Sequence, residues 1–139
     1  MVKADDISIT DLEKKSASNQ HERVRIFYEL FTPLYDGYRK YCVNKSYLDF
    51  DDLIIQTIKL LKQNPEIRNI YLNKYKYVLV DEFQDVNNLQ VRLLDLLLKP
   101  ETQLFCVGDD WQSIYGFRGS EVDYIVNFEK YFFETLAFK

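Results

Sequence analysis

The 139-residue sequence predicts an α/β fold with a parallel sheet and flanking helices, on three observations. Apolar residues recur at helical spacing through the first half of the chain. Two short continuous apolar runs, Tyr77–Val80 and Leu104–Val107, then break that rhythm and read as strands buried on both faces. Between them lies a helical stretch of crossover length, and a strand, helix, strand order of this kind makes a parallel pair.

The elements follow in order. Residues 1–20 are polar and nearly aperiodic, and are expected to fray or to link into the first helix. From Glu22, the spacing of Val24, Phe27, Tyr28, Leu30 and Phe31 predicts a helix; Thr32-Pro33 then reads as an N-cap and first-turn proline opening a second helix to about Val43. Asp49 with Asp52 three residues on forms a capping pattern ahead of Leu53, Ile54, Ile58, Leu60 and Leu61, and Asn64-Pro65 ends that helix. Glu66 to Asn73 is one more short helix. Leu89 to Lys99 is the crossover helix, stopped by Pro100, and Gly108 ends the second strand. Ser120 and Asp123 cap a last helix through about Tyr131, and Thr135 to Phe138 is read as the opening of a third strand. Three regions result: a polar segment 1–20, a helical region 21–75, and a strand-bearing region 76–139.

Composition narrows the function classes. A hydrophobic share of 47% and an aromatic share of 16% exclude a charge-dominated disordered chain. No run approaches the ~20 apolar residues that span a bilayer, and the N-terminus lacks a signal-peptide pattern, so no membrane partner is expected. Cys42 and Cys106 lack the paired spacing of a zinc site and read as buried thiols in a reducing, cytoplasmic compartment. Residues 1–80 hold 13 basic and 11 acidic side chains, whereas residues 81–139 hold 5 and 11. Such an acidic second part does not suit clustered phosphate neutralisation. Any nucleic-acid contact there is local and helped by aromatic stacking, and the acidic groups suit a divalent cation.

Chemistry in parallel sheets collects at the carboxyl ends of the strands. The first predicted strand runs into Asp81-Glu82-Phe83-Gln84-Asp85, the second into Gly108-Asp109-Asp110-Trp111-Gln112-Ser113-Ile114-Tyr115-Gly116-Phe117-Arg118-Gly119. A rigid strand that ends in Asp-Glu can hold one carboxylate on a magnesium shell while its neighbour polarises water. Taken alone, an acidic pair after a strand is as often a solvated turn.

The two segments together closely resemble motifs II and III of superfamily-1 helicases of the UvrD/Rep kind. Asp49-Phe50-Asp51-Asp52-Leu53 resembles the DFDDL segment that precedes motif II there, and Trp111 after Asp109-Asp110 is similar to the DNA helicase IV branch. The resemblance covers about Val24 to Lys139. It implies a partial RecA-like sheet of the P-loop NTPase type, with residues 21–75 in the helical insertion of the first motor domain. It further implies Mg2+ at Asp81, water activation by Glu82, ATP contacts and coupling at Gln84, and a γ-phosphate sensor in Gln112. Tyr115, Phe117 and Arg118 would grip single-stranded DNA, Phe117 as the stacking aromatic. Asp109 and Asp110 are expected to shape their loop rather than ligate metal.

No G-x-x-x-x-G-K-[ST] occurs, since the four glycines are Gly37, Gly108, Gly116 and Gly119. The family's second motor domain is also missing. The expectation is therefore an internal fragment of an ATP-dependent helicase that acts on single-stranded and duplex DNA. Alone it would be inactive, its partners would be the missing parts of its own motor domains, and an open sheet edge would favour self-association. A helicase-nuclease subunit, a metal-dependent carboxylate nuclease and a noncatalytic interaction module are the alternatives.

Overall fold

A computed structural model describes residues 8–18, 21–116 and 119–132. The chain divides into two compact units, residues 2–53 and residues 54–139, and helix α3 runs across the division.

In the first unit, α1 (Ile9–Ser18) corrects the expectation of an aperiodic segment. Ser8 and Asp11 cap it reciprocally. The Asp11 amide donates to Ser8 Oγ at 3.1 Å, and the Ser8 amide and hydroxyl donate to Asp11 Oδ2 at 3.2 and 2.6 Å. Leu12 is the buried residue of α1, which packs on α2, so one buried side chain, that packing and one cap define a helix that periodicity missed. The second correction is at Pro33. It opens no new helix but lies inside α2 (Glu22–Lys45), a single 24-residue helix. Proline removes one hydrogen bond there. A column of stacked rings spans the site: Phe27 on Phe31 at 5.4 Å and Phe31 on Tyr35 at 5.5 Å, each pair four residues apart and nearly coplanar. The helix ends at Ser46 in the left-handed conformation, φ 56°, where the Tyr47 amide reaches Cys42 O and the Ser46 amide Val43 O. The predicted capping of α3 (Phe50–Gln63) is present: Asp49 Oδ1 accepts from the Asp52 amide at 2.9 Å, and Asp52 Oδ2 from the Asp49 amide at 3.2 Å. Tyr38 donates its hydroxyl to Asp49 at 2.8 Å, a bond that pushes the phenol upward from its ordinary value.

In the second unit, α4 (Pro65–Lys74) precedes β1 (Tyr77–Val80), and α5 (Asn88–Leu97) crosses over to β2 (Gln103–Cys106). The strands pair parallel, Tyr77 with Gln103 through Val80 with Cys106. The described chain is thus mostly helical, with a small two-stranded parallel sheet in its second unit. Asn87 and Gln90 form a capping box that starts α5, while Arg68 of α4 donates to Leu96 O near its end. The last predicted helix is broken at Asn127 into α6 (Asp123–Val126) and α7 (Phe128–Tyr131). Asp123 bridges the break, accepting from Asn127 and from Tyr131, and both bonds hold its carboxyl below the usual range.

The core joins Phe83, Val86, Val91, Tyr124 and Phe132, with Val80, Leu104 and Cys106 packed on it from one face of the sheet. Burial pushes the Cys106 thiol up to about 12, and both cysteines are free thiols. The expectation of strands buried on both faces is corrected here. Leu79 is 73% and Phe105 60% exposed, so the opposite face is open. An unbroken apolar run makes both faces of a strand apolar, but a face is buried only where another element lies on it. The predicted third strand, Thr135 to Phe138, lies outside the described residues.

Candidate functional site

Because β1 and β2 are parallel and in register, Asp81–Asp85 and Gly108–Gln112 leave the sheet at the same end. The ladder continues one step beyond the strands. Val107 donates to Val80 O and Phe83 to Val107 O, each at 2.9 Å. Between these bonds the chain bends at Glu82, which is left-handed with φ 51° and ψ 43°. For a non-glycine residue that conformation costs roughly 1–2 kcal/mol. Phe83 then lies fully in the core while Asp81 and Glu82 are exposed, so packing of one side chain presents its two acidic neighbours to solvent.

Asp81 Oδ1 accepts from the Glu82 amide at 2.9 Å. Gln84, 1% exposed, uses both ends of its amide: Nε2 donates to Glu82 Oε2 at 2.7 Å, and Oε1 accepts from the Asp109 amide at 3.1 Å. Asp109 Oδ2 in turn accepts from Gln112 Nε2 at 2.7 Å, and Asp109 Oδ1 from the Trp111 amide at 3.0 Å, which caps the 3-10 turn Asp110–Gln112. The expected loop-shaping role of Asp109 agrees with this geometry. Ser113 Oγ donates to Gln84 O at 3.4 Å, and an antiparallel bridge joins Asn87 to Ser120. A continuous hydrogen-bonded path thus runs from Glu82 through Gln84 and Asp109 to Gln112.

Asp81, Glu82 and Gln112 are exposed on these loops, as is Tyr115. Phe117 and Arg118 lie outside the described residues. Magnesium keeps several waters and commonly takes only one or two carboxylates besides phosphate oxygens, so exposed Asp81 fits that demand. Among the described residues no group of three or more His, Cys, Asp or Glu side chains could hold a metal by itself. A shallow concavity of about 200 Å³, lined by Lys76, Tyr77, Lys99, Glu101 and Gln103, lies at the other end of the sheet and is remote from the acidic pair.

Sequence reasoning missed two features of the site. Trp111, the only tryptophan, is 92% exposed beside Gln112, and its placement between polar loop residues was the available signal. Gly108 meets the buried Gln84 side chain, for which the sequence carries no signal beyond glycine itself.

The parallel strand pair thus delivers an acidic turn and an amide-bearing turn to one rim, at the carboxyl ends of the strands where α/β sheets bind ligands. The sequence model of the UvrD/REP helicase N-terminal domain matches residues 2–133, and the chain belongs to that family. It is 41% identical over 117 residues to the ATP-dependent DNA helicase PcrA of Staphylococcus aureus (strain Mu50), covering 84% of this chain and 16% of that protein. With PcrA of Staphylococcus epidermidis it shares 39% identity over 119 residues, 85% of this chain and 16% of the relative. The chain therefore spans about one-sixth of the length of the curated relatives it matches.

Proposed function

We propose that this chain forms part of the first, RecA-like motor domain of an ATP-dependent DNA helicase. Residues 76–139 would carry motifs II and III, residues 21–75 part of the helical insertion, and residues 1–20 a polar lead-in. The relatives named as ATP-dependent DNA helicases support this reading. The single observation that carries it is the bonded path from Glu82 through buried Gln84 and Asp109 to Gln112.

In this proposal Asp81 contributes a carboxylate to Mg2+, which when bound neutralises charge on the ATP phosphates. Glu82 orients and deprotonates the attacking water. Its left-handed backbone and the Gln84 amide hold the carboxylate in one direction, so orientation is present before substrate arrives. Gln84 couples the acidic turn to the second loop. Gln112 senses the γ-phosphate, because its Nε2 can exchange Asp109 Oδ2 for a phosphate oxygen at little net cost. A few residues further on, Tyr115, Phe117 and Arg118 grip single-stranded DNA, the aromatics by stacking that ignores base identity. Hydrolysis and movement are joined by the shortness of this loop, which requires two conformations of it.

The chain by itself would not turn over ATP, since no phosphate-cradling lysine loop occurs in it. Its partners would be DNA and the remainder of its motor domains. Among the described residues β1 and β2 pair only with each other, so an outer edge is open and supports self-association. Light scattering of concentrated chain should then report species larger than a monomer, and a monomer throughout would remove that part of the proposal.

The experiment is a pair of substitutions in the full-length protein. Glu82→Gln should lower ATP turnover by about 10²–10⁴-fold while nucleotide still binds. Phe117→Ala should weaken single-stranded DNA binding by about 1–3 kcal/mol with little change in nucleotide affinity. Equal damage to nucleotide affinity by both would refute this division of labour.

A further inference from the structure

We propose that Gly108 is a positioning residue: the space left by its missing side chain lets the buried Gln84 amide tie the Glu82 carboxylate to the Gln112 loop. The catalytic consequence rests on the reading of Glu82 and Gln112 given above.

Glycine is used either for a backbone that other residues avoid or for room. Gly119, with φ 82°, is of the first kind, whereas Gly108 lies outside the left-handed region. Room is what Gly108 provides. A Cβ there would lie 2.5 Å from Gln84 Oε1, 2.7 Å from Ile125 Cδ1 and 3.1 Å from the Gln84 amide nitrogen. Gly37 and Gly116 would meet nothing within 4 Å.

Gln84 cannot retreat without breaking bonds. Its Oε1 accepts from the Asp109 amide and its Nε2 donates to Glu82, and a side chain that is 1% exposed has no water to replace either partner. Ile125 packs against the core cluster, which limits escape on that side. A methyl group at position 108 must therefore displace the Gln84 amide or lift the Asp109 backbone. The first change breaks the Gln84 bonds to Glu82 and to the Asp109 amide; the second moves the residue whose carboxylate holds Gln112 Nε2. The side-chain path from Glu82 to Gln112 would then be broken, leaving the backbone ladder, the Ser113–Gln84 bond and the Asn87–Ser120 bridge between the two loops.

The test begins with amide NMR and hydrogen exchange on this chain, comparing Gly108→Ala with Gly37→Ala. Gly108→Ala should shift the Gln84 side-chain and Asp109 backbone resonances and speed exchange at the Asp109 amide by about fivefold, the equivalent of one hydrogen bond. Gly37→Ala should leave these signals in place. Unchanged Gln84 and Asp109 signals in a folded Gly108→Ala chain overturn the assignment. Should Gly108→Ala fail to fold, the Gln84→Ala/Gly108→Ala/Ile125→Val chain, which lacks both colliding side-chain ends, is expected to fold; its failure also overturns the assignment. In the full-length protein Gly108→Ala should lower kcat for ATP by up to about 10²-fold, the effect of a small misplacement, with KM little changed. An unaltered kcat beside shifted NMR signals overturns the positioning role. A wild-type full-length protein without ATP turnover would instead overturn the nucleotide reading, while the NMR comparison still judges Gly108.

Discussion

Between residues 8 and 53, Leu12 and Cys42 are the buried apolar residues, while Phe27, Leu30, Leu34, Tyr41 and Val43 of α2 are largely exposed. Residues 54–132 bury Phe83 completely and surround it with Val86, Val91, Tyr124 and Phe132. The first region is held by the packing of α1 on α2, with Leu12 buried, and by bonds between near neighbours: reciprocal caps at Ser8 and Asp49, the stacked column Phe27–Phe31–Tyr35, and a left-handed C-cap at Ser46. The second is held by contacts between residues distant in sequence. The difference bears on function, because the strained turn at Glu82 persists only where packing overdetermines it, and that packing is the burial of Phe83.

Three measurements would break or sharpen this contrast. The largest effect is expected from Phe83→Ala, which removes a fully buried ring that makes edge contacts with Phe128 and Phe132. Urea unfolding should show a loss of about 3–5 kcal/mol. A loss of only about 0.5 kcal/mol, as for an exposed residue, would mean that the burial of Phe83 does not anchor the Glu82 turn. Next is Asp49→Ala, which deletes the cap of α3 together with the Tyr38 bond. A cost of about 1 kcal/mol is expected, read from thermal unfolding by circular dichroism. If Asp49→Ala cost as much as Phe83→Ala, a local cap would weigh as much as a core ring and the contrast between the two regions would fall.

The smallest effect concerns Asp11. Its hydrogen bonds with Ser8 hold its carboxyl below the usual value of 3.8. A depressed carboxyl contributes stability that is complete above that value and is lost as pH falls through the folded one. Acidification below pH 3.8 should therefore reduce the helical signal of α1, and Asp11→Asn should flatten that part of the titration. An identical acid titration in both chains would show that the cap carries no pH dependence.

Much of the fold was legible because its signals are local. The apolar run Tyr77–Val80 matches β1 residue for residue, and the Asp49–Asp52 pattern and Asn64-Pro65 mark where α3 begins and ends. The second strand is shifted by one residue, Gln103–Cys106 in place of Leu104–Val107, an offset within the range over which strand ends are defined by pairing alone. The misses are of a different kind. Thr32-Pro33 has the chemistry of a helix start, yet α2 continues through Pro33, and the stacked pair Phe31–Tyr35 spans the proline. Ser8-x-x-Asp11 was a readable cap, overlooked because only Leu12 of that helix is buried. At the site, the acidic pair and the amide loop were legible as motifs, but the inward turn of Gln84, the left-handed Glu82 and the demand for space at Gly108 were not.

What the sequence determined by itself is the parallel strand pair with its crossover helix, the bounds of α3, and the chemistry at the strand ends: Asp81-Glu82 and Gln112 in the loops that follow. Those features depend on neighbours within a few residues, through spacing, caps and breakers. Only the tertiary structure decided which face of the sheet is covered, where Gln84 spends its two hydrogen bonds, and why no side chain fits at position 108. Burial and collision are properties of pairs such as Gln84 and Gly108, which stand 24 positions apart in the chain and meet only when the parallel strands align.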